Sequence, residues 1–177
     1  DELESRWTDA TTVRKTTVPG EPELHVFDSR ETVVAAAPEA VFAVIERVGG
    51  RHGWFHANWL WQLRAAIDWL LGGVGMRRGR PISEQLLPGD PVDFWRVHQV
   101  EPNRRLTLLA EMKLPGIATL EFAVNPDGAG SRLRLTARFW PRGLPGRIYW
   151  YAVLPLHHYV FGGMLRAIAR AAERKAD

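Results

Sequence analysis

The sequence predicts an α+β domain in which a curved antiparallel sheet is covered by one long C-terminal helix. Three observations carry that prediction. Four runs alternate in character with period two: Pro91 to Val100, Arg104 to Leu114, Ile117 to Asn125 and Ser131 to Trp140. The connections between them, Glu101-Pro102-Asn103, Leu114-Pro115-Gly116 and Asn125-Pro126-Asp127-Gly128, are short and rich in turn residues, which favours a meander over crossovers. A helical apolar stripe then spans Gly146 to Lys175. A sheet with one apolar face needs a cover, and a helix laid across a curved sheet encloses an apolar compartment.

The elements follow in chain order. Residues 1–30 mix charges with Thr11-Thr12, Thr16-Thr17 and Pro19-Gly20 and show no sustained apolar period, so they read as an arm or linker with a short strand near Leu24 to Phe27. The domain proper is then 31–177. Glu31 to Ala37 reads as a first strand. Pro38 opens a helix that Gly49-Gly50 closes, since proline gives up no needed amide at the first helical position and glycine tolerates the left-handed cap. A second helix is expected over Trp54 to Leu71, with Phe55, Trp59, Leu63, Ala66 and Leu70 on one stripe and Trp61, Arg64 and Asp68 on another.

In the sheet region Leu106, Leu108, Ala110, Met112 and Leu114 share one face, as do Leu120, Phe122 and Val124, and Leu133, Leu135, Ala137 and Phe139. The stripe of the last helix is Trp150, Leu154, His157, Phe161, Met164, Leu165, Ile168 and Ala172. Pro155 interrupts it, and a kink or a break into two helices is expected there.

Composition narrows the function. The chain of 177 residues is long enough for one domain with a real core and carries a formal net charge of +3. With no cysteine there is no disulfide framework, thiolate metal site or thiol nucleophile. Asp1-Glu2-Leu3-Glu4 lacks the basic and apolar regions of a signal peptide, so a cytoplasmic location is expected. The absence of an initiating methionine points to a piece of a longer protein. Arg77-Arg78-Gly79-Arg80 is the densest basic stretch, but without interleaved aromatics it reads as a solvated loop, and nucleic acid is not an expected partner. Gly72-Gly73-Val74-Gly75 follows a helix rather than a strand and does not form a phosphate loop.

Several words along the chain resemble a bacterial family of domains of unknown function: Gly49-Gly50-Arg51-His52-Gly53-Trp54, Leu60-Trp61, Leu71-Gly72-Gly73-Val74-Gly75, Arg77-Arg78-Gly79-Arg80, Asp93-Phe94-Trp95-Arg96-Val97, Ala110-Glu111-Met112-Lys113-Leu114-Pro115-Gly116, Tyr149-Trp150-Tyr151 and Leu154-Pro155-Leu156-His157. The resemblance covers roughly residues 31–174. The order of elements also resembles the helix-grip plan of START-like, polyketide-cyclase and pollen-allergen-like proteins. The family resemblance implies that fold and a partner, an NmrA-like NAD(P)-binding domain of the atypical short-chain dehydrogenase type placed ahead of this one. It assigns no catalytic residues and no cofactor, and nothing of the nucleotide-binding half is visible in this chain.

The expected function is binding of a hydrophobic small molecule between sheet and terminal helix, lined by Trp95, Met112, Phe122, Phe139, Trp150, Leu154, His157 and Phe161, or service as an accessory domain to that dehydrogenase-like partner. His157, centred on the apolar stripe, is the one candidate for polar recognition or for acid–base work in a cyclase- or dehydratase-like reaction. The competing reading, a core histidine bonded to a carbonyl, outweighs it on sequence alone, because no second catalytic group is identifiable. Neither His52 and His56 nor His157-His158 has a carboxylate at metal-ligating spacing, so no metal is expected.

Glu111, Lys113, Glu121, Arg134 and Arg138 alternate away from the apolar face and read as cross-strand ion pairs, with docking of the partner domain as their rival use. Trp59, Trp95, Trp140 and Trp150 are candidates for an aromatic lining, against simple core packing. The uncharged run Ile148 to Leu165 is nearly long enough to span a bilayer, but its two histidines and central proline argue against insertion. Peripheral membrane contact through the aromatic second helix, or an interaction domain with a filled core, remain as further alternatives.

Overall fold

The computed structural model of the chain describes residues 12–15, 24–50, 53–62, 66, 85–111 and 114–176. Its elements are β1 (Thr12–Lys15), β2 (Leu24–Val34), α1 (Pro38–Ile45), β3 (Pro91–Val92), β4 (Trp95–Glu101), β5 (Arg105–Ala110), β6 (Gly116–Asp127), β7 (Gly130–Pro141) and α2 (Gly143–Ala176), with a further short helical stretch at 58–62. The strands form one seven-stranded antiparallel sheet in the order β1-β2-β7-β6-β5-β4-β3. The meander and the covering helix are as the alternation and turn chemistry predict.

The register places Val26, Asp28, Arg30 and Thr32 of β2 opposite Phe139, Ala137, Leu135 and Leu133 of β7. Phe122 of β6 lies between Leu135 and Leu106. This is the inner face. It is closed by α1, which buries Val41, Phe42, Val44 and Ile45, and by α2, which buries Trp150, Phe161, Met164, Leu165, Ile168 and Ala172. On the outer face the charged residues pair across strands. Glu31 bridges Arg132 and Arg134, Glu121 lies beside Arg138 and Arg105, and Glu111 accepts from Arg96. Lys113 lies outside the described residues.

Several boundaries differ from those expected. The strand expected from Glu31 begins at Leu24, so residues 24–30 belong to the sheet rather than to an arm. The helix opened by Pro38 ends at Ile45, after which Arg47 and Val48 bond to Val44 and Ile45 in tighter turns. Gly49 is left-handed, with φ of 81°, and a Cβ there would overlap Val92, so the position suits glycine on both counts. The run from Pro91 splits at a two-residue turn, Asp93-Phe94, whose first residue takes φ of 57° and lets β3 fold back on β4.

The expected helix over Trp54 to Leu71 is helical at 58–62 instead of from residue 54, and most of the remainder lies outside the described residues. Phe55 and Ala57 both have positive φ, and the His56 amide bonds the Trp54 carbonyl, which makes Phe55 the centre of a strained three-residue turn. Trp61 is buried and Trp59 is 61% exposed, so of the two expected faces the one bearing Trp61 turns inward.

Finally, α2 runs unbroken through Pro155. Pro155 lacks the amide that would bond the Tyr151 carbonyl, and both residues lie on the exposed side of the helix.

Candidate functional site

The inner face carries a ladder of rings that joins sheet to helix. Phe139, at the end of β7, lies parallel to Trp150 of α2 with centroids 5.9 Å apart and planes 5° apart. One turn pair further along α2, His157 meets the Trp150 ring edge-on at 5.2 Å and stacks on Phe161 at 4.6 Å. The helical spacing of 150, 157 and 161 puts all three on the stripe facing β2 and β7. Tyr149 packs against Phe139 from the flank, and Leu154 lies half-buried between Trp150 and His157 along the helix.

Polar groups enter this aromatic compartment from β2. Asp28 and Arg30 are two residues apart and therefore share the inner face, where they are 2% and 3% exposed. Arg30 donates to Oδ2 of Asp28 from Nε at 3.3 Å and from Nη2 at 3.1 Å. Nη2 also donates to Nδ1 of His158 at 2.8 Å. Because a guanidinium can only donate, His158 accepts through Nδ1 and its neutral ring carries the proton on Nε2. Oδ2 of Asp28 lies 3.7 Å from Nδ1 of His157. Isolated buried charges are costly, and this arrangement pairs each with an opposite charge or an imidazole.

The indole Nε1 of Trp150 is buried, its residue 3% exposed, with no hydrogen-bond partner among the described residues. Such a group carries a desolvation cost that a second polar molecule can relieve.

Of the residues expected to line the compartment, Phe139, Trp150, His157 and Phe161 come together, with Leu154 beside them. Phe122 is fully buried on the inner face of β6. Trp95 sits apart, in a second aromatic cluster with Trp54, Trp61 and Phe94 at the β3–β4 end. That cluster is organised by Asp93, whose carboxylate accepts from Trp54 Nε1 at 2.9 Å and from the Gly50 amide. Met112 lies outside the described residues. Trp140 is buried on the outer face against His25, away from the compartment.

Asp28 and Arg30 were not expected, because they fall in the segment read as an arm. The available signal was their spacing: Val26, Asp28, Arg30, Thr32 and Val34 occupy alternate positions, and an acid and a base two apart between valines fit a buried pair on a strand face.

Residues 22–164 match the family described as "Protein of unknown function (DUF2867)". No protein of curated function matches the chain. Among solved structures, the Zhui aromatase/cyclase from Streptomyces sp. R1128 superposes with a TM-score of 0.52 at 16% identity, covering 86% of this chain and 96% of that one. The di-domain ARO/CYC StfQ from the steffimycin biosynthetic pathway superposes with a TM-score of 0.53 at 12% identity, covering 86% of this chain and 52% of that one. At these identities the likeness is one of fold, an α+β helix-grip sheet with its long terminal helix.

Proposed function

Since the chain belongs to the DUF2867 family, whose description names no activity, we propose a function from the compartment itself: it binds a hydrophobic, planar small molecule between β2, β7 and α2. The observation that carries this reading is the buried Trp150 indole, which has no acceptor among the described residues, in an aromatic wall beside the Asp28–Arg30 pair. Rings supply area and stacking, while an indole N–H can only donate, so the ligand presents an acceptor oxygen or nitrogen to it. Two proteins of similar fold are named as aromatase/cyclases, which accords with a compartment suited to ring compounds. The test is native mass spectrometry of protein purified from its own host. A reproducible extra mass released on denaturation supports binding. Empty protein speaks against it and favours the accessory role beside an NmrA-like NAD(P)-binding partner, a reading that rests on sequence resemblance.

A second reading has its own observation, the 3.7 Å approach of Asp28 to His157 Nδ1. A carboxylate beside an imidazole stabilises its protonated form and orients the ring, which equips His157 to act as acid or base on a bound cyclisable or dehydratable substrate. His157→Gln separates the two readings, since it retains hydrogen bonding and removes titration near neutral pH. A pure binder keeps most of its affinity, whereas an enzyme loses about 100-fold or more in turnover with little change in affinity.

A further inference from the structure

The outward side of α2 is divided into two halves of opposite character. Leu144, Ile148, Tyr151, Leu156 and Tyr159 are all exposed large apolar side chains, and Tyr151 is 57% open. The exposed Pro155 completes the stripe, since 144, 148, 151, 155 and 159 recur at helical spacing. Continued by the same spacing, that stripe reaches Arg166, Arg170 and Arg174, all exposed. The exposed Arg142 and Arg147 stand at its other end. From Gly128 to Ala172 the chain contains no acidic residue. The opposite side of the helix is held in the core by Phe161, Met164, Leu165 and Ile168, so the apolar half cannot turn inward.

We propose that this face of α2 docks on an anionic lipid surface, with the apolar half entering the headgroup–acyl boundary and the arginines facing lipid phosphates. Charge complementarity selects that occupant. An apolar stretch bracketed by arginines and free of carboxylates matches a bilayer that is apolar inside and negative at its edge, and tyrosines suit the level between. The geometry fits lying on a membrane rather than crossing it, since no helix among the described residues is long and apolar enough to span one. The apolar half covers about 24 Å of helix, enough to enter the boundary along its length. The segment bearing exposed Trp59 reaches the same face, where His56 packs against Tyr159. This surface replaces the expected second helix as the part that meets lipid.

The test is co-sedimentation of the full chain with two kinds of vesicle, phosphatidylcholine alone and phosphatidylcholine in part replaced by phosphatidylglycerol. Binding is expected to the anionic vesicles and to weaken as salt is raised. Two variants on exposed positions check the face. Ile148→Glu with Tyr151→Glu removes apolar insertion, and Arg166→Gln with Arg170→Gln removes headgroup attraction. Each should weaken binding about tenfold or more while circular dichroism and Tm stay at wild-type values. Absence of binding to anionic vesicles at low salt overturns the proposal, as does binding that neither variant changes. Self-association of the wild type that Ile148→Glu abolishes, without vesicle binding, assigns the face to a second copy of the chain and likewise overturns it.

Discussion

Nδ1 of His157 lies 3.7 Å from Oδ2 of Asp28, on the same oxygen that receives the Arg30 guanidinium. One buried carboxylate oxygen thus holds the Arg30 guanidinium, whose Nη2 in turn bonds His158 of the covering helix at 2.8 Å. Its removal strands a cation in an apolar layer, and that is the costly event, because the attraction within a buried pair is largely offset by the desolvation of both partners. Asp28→Asn should therefore destabilise the fold by about 3–5 kcal/mol, while Asp28→Leu combined with Arg30→Met should cost much less or nothing. Urea denaturation of the three proteins checks this. A double variant as unstable as the single one would show that the pair is not the source of the loss.

Gly163 tests the seam between α2 and the strained turn. A Cβ at this position would overlap the His56 ring, so two effects oppose one another in Gly163→Ala. Alanine gains about 1 kcal/mol of helix propensity, whereas overpacking costs roughly 1–3 kcal/mol. The net should be destabilising, and it should become stabilising in a His56→Ala background, where the gain stands alone. Equal effects in both backgrounds, read from denaturation midpoints, would mean that His56 does not restrict the site.

The parts of the fold differ in how far the sequence discloses them. The face of β5, β6 and β7 is plain in the alternation of Leu106, Phe122 and Leu135 with polar neighbours, and turn residues fix the meander. The same rule hides β2, since the run Asp28-Ser29-Arg30-Glu31 looks solvated when two of its charges are in fact paired on the inner face. Periodicity reports hydrophobicity, and a buried ion pair inverts it. The orientation of Trp59 and Trp61 is hidden for a different reason. Helical spacing puts the two on different faces without fixing which one turns inward, and positive φ at Phe55 and Ala57 takes Phe55 off the stripe it was expected to share with Trp59. Of the candidate site, the α2 side was legible through helical spacing. The strand side, Asp28 and Arg30, was not.

Glu31 supplies a pH dependence. The hydrogen bond from Arg134 holds its carboxyl below the ordinary value of 4.5, with Arg132 assisting and desolvation opposing. A depressed folded value means that the carboxylate contributes its full stabilisation above 4.5 and loses it as pH falls through the lower folded value. Glu31→Gln should cost about 1 kcal/mol or less near neutrality, as expected of a partly exposed pair. The gap in Tm between wild type and variant should close progressively as pH falls below the ordinary value of 4.5. A gap that stays constant on acidification would assign the effect to packing of the side chain instead of its charge.

Trp150→Phe separates ligand binding from core packing. Phenylalanine keeps a ring parallel to Phe139 and removes the indole N–H, which finds no acceptor among the described residues. Relief of an unsatisfied buried donor is worth about 1–3 kcal/mol, and loss of the larger ring costs a similar amount through the space it leaves. Stability should consequently change by no more than about 1 kcal/mol. Affinity for the molecule recovered from the native protein should fall about threefold to tenfold, the value of one neutral hydrogen bond, because that bond exists only in the complex. Trp150→Leu loses the stacking as well and should bind more weakly still. Equilibrium titration and thermal unfolding on the same samples give both quantities. If Trp150→Phe binds as tightly as wild type, the indole does not orient the ligand, and a large loss of stability would show that the ring serves the core alone.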